Sequence, residues 1–236
     1  MGPARRPAAG GGRWLEVGPG GVARWLAGFG ARHGGVTEVA CGAEIVEFRG
    51  ADGAVAECHV PFPPLPEPDH DWAADSAADP EAGPAAALAA HAAADRLVGV
   101  ILVRLGGYAV GVFAGERPMA AKAGARPVHG RTSAGGWSQH RFARRRDKQA
   151  REALAAAAAT AAAVLGPYEK RLDAVVLGGD RRAVAAVRHD VRLAPLFALA
   201  VDPFLSVPDP RSAVLLDTPR RFRAVRIRLV EPAGHP

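Results

Sequence analysis

Arg131-Thr-Ser-Ala-Gly-Gly-Trp-Ser-Gln-His-Arg-Phe-Ala-Arg-Arg-Arg146 runs directly into DKQAREALAAAAATAAAVL, residues 147–165. Alanine is the strongest helix former, and residues 153–163 are nearly all alanine. One helix is therefore predicted from Ser138 to Leu165, stopped by Gly166-Pro167. At 1.5 Å per residue it is roughly 40 Å long. Gly135 and Gly136 lack Cβ atoms, so the backbone before the helix can take positive φ and pass close to another surface. Ser138 is placed to cap the helix, whose free N–H groups and positive dipole end favour an anion. Arg141, Arg144, Arg145 and Lys148 follow at i, i+3, i+4 and i+7 and share one basic face. Phe142, Arg146 and Gln149 fall on a neighbouring face, where Phe142 is expected to anchor the helix to a sheet. The plainer reading is a glycine turn before a capped helix with a solvated basic face. Trp137 argues against it, because a large aromatic in a polar, glycine-flexed tip is costly unless it stacks on something.

Strands surround this segment. Leu97–Leu105 is apolar and rich in β-branched residues; Gly106-Gly107 turns it into a second strand, Tyr108–Phe113, and residues 118–130 supply a third. After the helix come a strand at Ala174–Leu177, a Gly178-Gly179-Asp180 turn and a helix at Arg181–His189. A strand at Leu196–Val201, a short helix at 211–217 and a last strand at Ala224–Val230 complete the pattern. A three-strand meander followed by helix–strand–helix–strand gives an α/β class: an RNase H-like mixed sheet with a long helix after the Gly-Gly loop. This catalytic domain is expected to span residues 95–236.

The N-terminal half reads differently. Residues 1–12 are Gly, Pro, Ala and Arg and are expected to form a disordered tail. Residues 13–60 read as a small α+β unit, with a strand at Trp14–Val17 and a helix at Val22–His33. Its hairpin joins Glu44–Phe48 to Val55–Val60. Residues 61–94, with prolines at 61, 63, 64, 66, 68, 80 and 84 among acids and alanines, read as a linker.

Charge is unevenly placed. Residues 1–118 carry 9 basic and 14 acidic side chains, and residues 119–236 carry 21 and 10. A basic half of that size suits a polyanionic partner, although an arginine-biased composition accounts for part of it, since Lys occurs only at 122, 148 and 170. Cys41 and Cys58 are too few for a disulfide framework and have no metal spacing, so both are expected to be buried, reduced thiols. No signal peptide and no membrane span are read from the sequence, so a cytoplasmic protein is the expectation; it is also expected to be a monomer.

Gly135 to Arg146 resembles the catalytic loop and following helix of the VLRF (Vms-like release factor) peptidyl-tRNA hydrolases, most closely the actinobacterial branch. These are related to the middle domain of the eukaryotic and archaeal class-1 release factors. The resemblance covers roughly residues 95–230. It implies ribosome association and hydrolysis of peptidyl-tRNA on stalled large subunits, with the large subunit, its rRNA and peptidyl-tRNA as partners and no cofactor. The release-factor pattern is Gly-Gly-Gln; this chain has Trp137 at the glutamine position and Gln139 two residues later. Gly135, Gly136, Trp137 and Gln139 are thus the candidate catalytic residues, with either the Trp137 backbone N–H or the Gln139 side chain orienting water. Arg131, Ser138, His140, Arg141, Arg144, Arg145, Arg146 and Lys148 are the candidate RNA contacts.

Cleavage near the tRNA 3′ end is the alternative chemistry; no dedicated base for it is read, and His140, which could serve, stands at a helix start where a lone histidine is more often a surface residue. A non-catalytic RNA-binding module is another. Gly136-Trp-Ser138-Gln-His140 also imitates a serine-hydrolase nucleophile elbow, with Asp173, Asp180 and His189 downstream, but lacks its last glycine. Gly178-Gly179-Asp180 is read as an ordinary strand-to-helix turn. Asp173, Asp180 and Asp190 are too scattered to predict a metal centre. Arg220, Arg221, Arg223, Arg226 and Arg228 form a second basic stripe, with Arg226 and Arg228 expected on the exposed face of a strand.

Overall fold

The computed structural model describes residues 6–7, 11–66, 83–125 and 138–232. The chain divides into two compact units, Met1–Ala94 with Arg223–Pro236, and Asp95–Phe222.

The second unit is built around β6 (Leu97–Arg104), whose apolar run is buried on both faces. It pairs antiparallel with β7 (Gly107–Ala114), which pairs antiparallel with β8 (Arg117–Ala125). On its other side it pairs parallel with β9 (Ala174–Gly179), which pairs parallel with β10 (Ala200–Leu205). The order β10-β9-β6-β7-β8 is a mixed sheet, as the sequence predicts. The helix Ser138–Leu165 connects β8 to β9 with the predicted bounds. Its second half buries Ala153 and carries Ala157, Ala158, Ala161 and Leu165 inward, at helical spacing, onto Ile101, Val103, Val110, Val112 and Val175. Small side chains let the helix axis approach the sheet. A Cβ on Gly99 would stand 2.7 Å from Leu165 Cδ2, so β6 carries a glycine where the helix end comes closest. The Thr160 hydroxyl donates to Tyr108 Oη at 3.2 Å, and the Tyr108 ring covers Gly124 across the β7–β8 ladder. On the opposite sheet face Phe113 meets Phe222 edge-on, with ring centroids 6.4 Å apart.

One expected strand is misplaced. Leu196 and Phe197 are buried on a short helix, Ala194–Ala198, and the strand is β10, which begins at Ala200. A short apolar run does not tell strand from buried helix; Pro195 in the first turn favours the helix.

The strands of the first unit are β1 (Arg6–Pro7), β2 (Arg13–Val17), β3 (Val36–Cys41), β4 (Ile45–Gly50), β5 (Val55–His59) and β11 (Val225–Val230). They form one antiparallel sheet in the order β1-β2-β11-β5-β4-β3. Two helices, Val22–Arg32 and Pro84–Ala93, bury Val22, Leu26, Phe29, Leu88 and Ala92 in its core. Four expectations change here. Arg6 and Pro7 pair with Trp14 and Arg13, within the stretch read as a disordered tail. Pro84–Ala93 is helical within the stretch read as a linker, and His91 Nε2 lies 3.0 Å from Pro61 O. Cys41 is exposed, whereas Cys58 is buried and its thiol is pushed up to about 12 by desolvation. The last strand, assigned by sequence to the 95–236 domain, lies instead between β2 and β5. The acidic tract 67–81 lies outside the described residues.

β11 buries Val225, Ile227 and Leu229 and turns Arg226 and Arg228 to the other face. Ile227→Ala is expected to destabilise the first unit by about 2–5 kcal/mol. Thiol labelling checks this. Native protein should label at Cys41 alone, and Ile227→Ala should bring Cys58 into reaction at lower denaturant.

Candidate functional site

The long helix has two unlike halves. Ala153 is its first residue buried among the described side chains; before it, Arg144, Asp147, Lys148, Arg151 and Glu152 are exposed. The 15 residues from Ser138 to Glu152 extend about 22 Å along the axis. They carry six basic and two acidic side chains. The packed alanine half therefore holds a basic rod, at whose tip the chain returns to the Gly-Gly stretch.

Arg131, Gly135, Gly136 and Trp137 lie outside the described residues. Ser138, Gln139, His140, Arg141, Arg145 and Arg146 occupy the first turns of the helix, and their side chains are likewise outside the described set. Helical geometry places Arg141, Arg144, Arg145 and Lys148 on one face. Lys148 Nζ lies 3.9 Å from Glu152 Oε1, with both side chains well exposed, an i,i+4 pair too weak to withdraw the lysine from a phosphate.

The downstream acids are occupied elsewhere. Asp173 Oδ2 accepts from the Leu97 N–H at 2.7 Å, tying the start of β9 to β6. Asp180 caps the helix Arg181–Arg188 by accepting from the Ala183 N–H at 2.9 Å. Gly179 has φ +102°, and a Cβ there would meet the Val103 carbonyl. The Gly-Gly-Asp turn thus has a structural reason of its own. Asp190 is gripped by the Arg192 guanidinium at 2.9 and 2.7 Å, which holds its carboxyl down at about 2. Among the described residues, no three His, Cys, Asp or Glu side chains gather as a metal site, and no helix is long and apolar enough to cross a membrane.

The second arginine stripe is more engaged than its sequence suggests. Arg221 donates to Ser206 O at 3.0 Å and Arg223 to Ala93 O at 2.6 Å. Arg228 pairs with Glu57 at 2.8 Å. The Arg226 guanidinium lies over the Trp14 ring, 4.7 Å from its centroid, and His59 stands 5.0 Å from the same ring. Both strand arginines are half-buried rather than fully exposed. The Trp14–His59–Arg226 group joins three distant parts of the chain. Only the pairing of β11 with β2 and β5 brings them together, so no local motif announces it.

Residues 96–228 match the family described as acVLRF1, the Actinobacteria/chloroflexi VLRF1 release factor. That is more than half of the chain, and it includes the whole loop and helix. The chain belongs to this family. Its description makes this a family of release factors. No curated protein matches it. Among solved structures it is similar to the archaeal translation termination factor aRF1, at 13% identity and a TM-score of 0.39 over 75% of this chain. The chain spans about half the length (51%) of that factor.

An exposed basic rod should bind by counterion release. Arg144→Glu with Lys148→Glu is expected to weaken binding to ribosomal particles. For every phosphate that the variant no longer neutralises, the slope of log K against log salt should flatten by about 0.7–0.9. A salt titration of wild type and variant reads this directly.

Proposed function

We propose that the protein is a peptidyl-tRNA hydrolase that frees nascent peptide from stalled large ribosomal subunits in the cytoplasm. The observation that carries this reading is the family match across the Gly135-Gly136-Trp137 stretch and its helix. The extended basic half of that helix, ahead of the residues that anchor it, supports the reading.

The substrate is the ester between the peptide and the 3′-oxygen of the terminal tRNA adenosine. Water adds to the ester carbonyl carbon, and the tetrahedral oxyanion collapses. The bond to the 3′-oxygen breaks, and that oxygen takes a proton. The products are a peptide acid and a free 3′-hydroxyl. The reaction needs a placed water and a donor for the oxyanion or leaving oxygen, without a covalent nucleophile. Gly135 and Gly136 admit the tip to a narrow site. The Trp137 N–H or the Gln139 amide supplies the donor, and the Trp137 indole stacks on a base. Arg131, Ser138 and His140 flank the tip. Arg141, Arg144, Arg145, Arg146 and Lys148 hold tRNA or rRNA phosphates.

The test is release of labelled peptide from peptidyl-tRNA on isolated large subunits, with puromycin confirming that the peptide is releasable. Gly136→Ala is expected to slow release about 100-fold while leaving subunit binding nearly unchanged, because a small misplacement of the tip costs that much. Gln139→Ala tells whether that side chain or the Trp137 backbone is the donor. Mapped tRNA 3′ ends should stay intact. Shortened ends would instead mean phosphodiester cleavage, and tight binding without release would leave an RNA-binding module.

A further inference from the structure

The first unit's sheet covers its core with helices on one face only; the opposite face carries charged and aromatic side chains. Most of its charge is cancelled internally. Arg228 is bound to Glu57 at 2.8 Å, and Arg49 to Glu47 at 2.6 Å and Glu38 at 3.3 Å. One end of the face differs. There, Trp14 on β2 and His59 on β5 lean toward each other over β11, with ring centroids 5.0 Å apart and planes inclined by 58°. The Arg226 guanidinium rests on the indole, 4.7 Å from its centroid. Ile45, the cross-strand neighbour of His59, extends the apolar surface and is 38% exposed.

Trp14 is intermediate in exposure, so part of its indole stays uncovered on this face, where a flat partner can stack. The guanidinium covers part of the ring and is held by stacking instead of by a carboxylate. Among the described residues no acid pairs with Arg226, and its neighbour across the ladder, Glu16, is exposed. Its charge therefore remains available to an anion. Burial and the nearby arginine hold His59 below the ordinary histidine range, so its ring is an uncharged π surface at neutral pH. Two rings, one cation and an aliphatic rim on a sheet face make a stacking platform with a phosphate-binding group beside it. A protein partner of acidic character would be served by the cation but would leave the paired rings without a reason.

The geometry points to a second RNA site in the N-terminal unit: Trp14, His59 and Arg226 take an unpaired RNA base by stacking and its phosphate by charge. This proposal stands whether or not the Gly-Gly loop hydrolyses an ester.

The test uses the full chain and a short single-stranded oligoribonucleotide carrying one 5-iodouridine. Affinity is measured by fluorescence anisotropy, and photocrosslinked peptides are identified by mass spectrometry. Crosslinks are expected in β2 or β5. Trp14→Ala should weaken binding roughly 5- to 100-fold, the range for removal of one stacked base, and Trp14→Phe should restore most of it. Arg226→Gln gives a second reading that keeps the sheet intact, and an abasic nucleotide at the crosslinking position should bind as weakly as Trp14→Ala. Crosslinks confined to residues 131–148, with Trp14→Ala and Arg226→Gln binding as wild type, would overturn the proposal. So would RNA-independent self-association abolished by Trp14→Ala, which would assign the face to a second copy of the chain.

Discussion

The direction of the long helix depends on the burial of one alanine-rich helical face against the central sheet. Alanine removes little apolar area per residue, so the packing gains from closeness and repetition rather than from large side chains. Ala157, Ala158, Ala161 and Leu165 lie along β-branched residues of β6, β7 and β9, and Gly99 makes room at the far end. Because the helix is continuous, fixing its second half fixes the direction of its first. The arginine-rich turns need no tertiary packing of their own to be held in place.

The first unit depends on a different constraint. β11 hydrogen-bonds on both sides, to β2 and β5, so the strands that precede residue 94 form one sheet only with a strand from beyond residue 222. The same pairing completes the core through Val225, Ile227 and Leu229 and assembles the Trp14–His59–Arg226 group on the other face. One strand therefore serves stability and surface chemistry at once, by the ordinary alternation of its side chains.

The parts readable from sequence are those governed by local periodicity or local backbone chemistry. The 28-residue helix is legible to its last residue because alanine propensity and a Gly-Pro stop agree. β6 and β7 are legible because a β-branched run meets a glycine turn. The Gly178-Gly179-Asp180 turn reads correctly as structural, since Asp180 caps a helix and Gly179 lies under a carbonyl. The failures share a cause. Leu196–Phe197 is apolar without a period, so strand and buried helix look alike. Pro84–Ala93 sits among prolines that favour a linker, yet Leu88 and Ala92 find a core to enter. Cys41 is a small apolar residue whose burial depends on whether an edge strand is covered.

The sequence by itself determined the long helix, its basic first half, the Gly-Gly stretch before it and, through them, the family. These follow from residues close along the chain, where propensity and spacing act directly. Tertiary structure alone decided where β11 goes, and hence which arginines are engaged and which rings meet. Alternation states that a strand has a buried face but not which sheet receives it, because equivalent edges offer the same hydrogen bonds. That choice is made by the fit of Val225, Ile227 and Leu229 into a core assembled from residues 15 to 92.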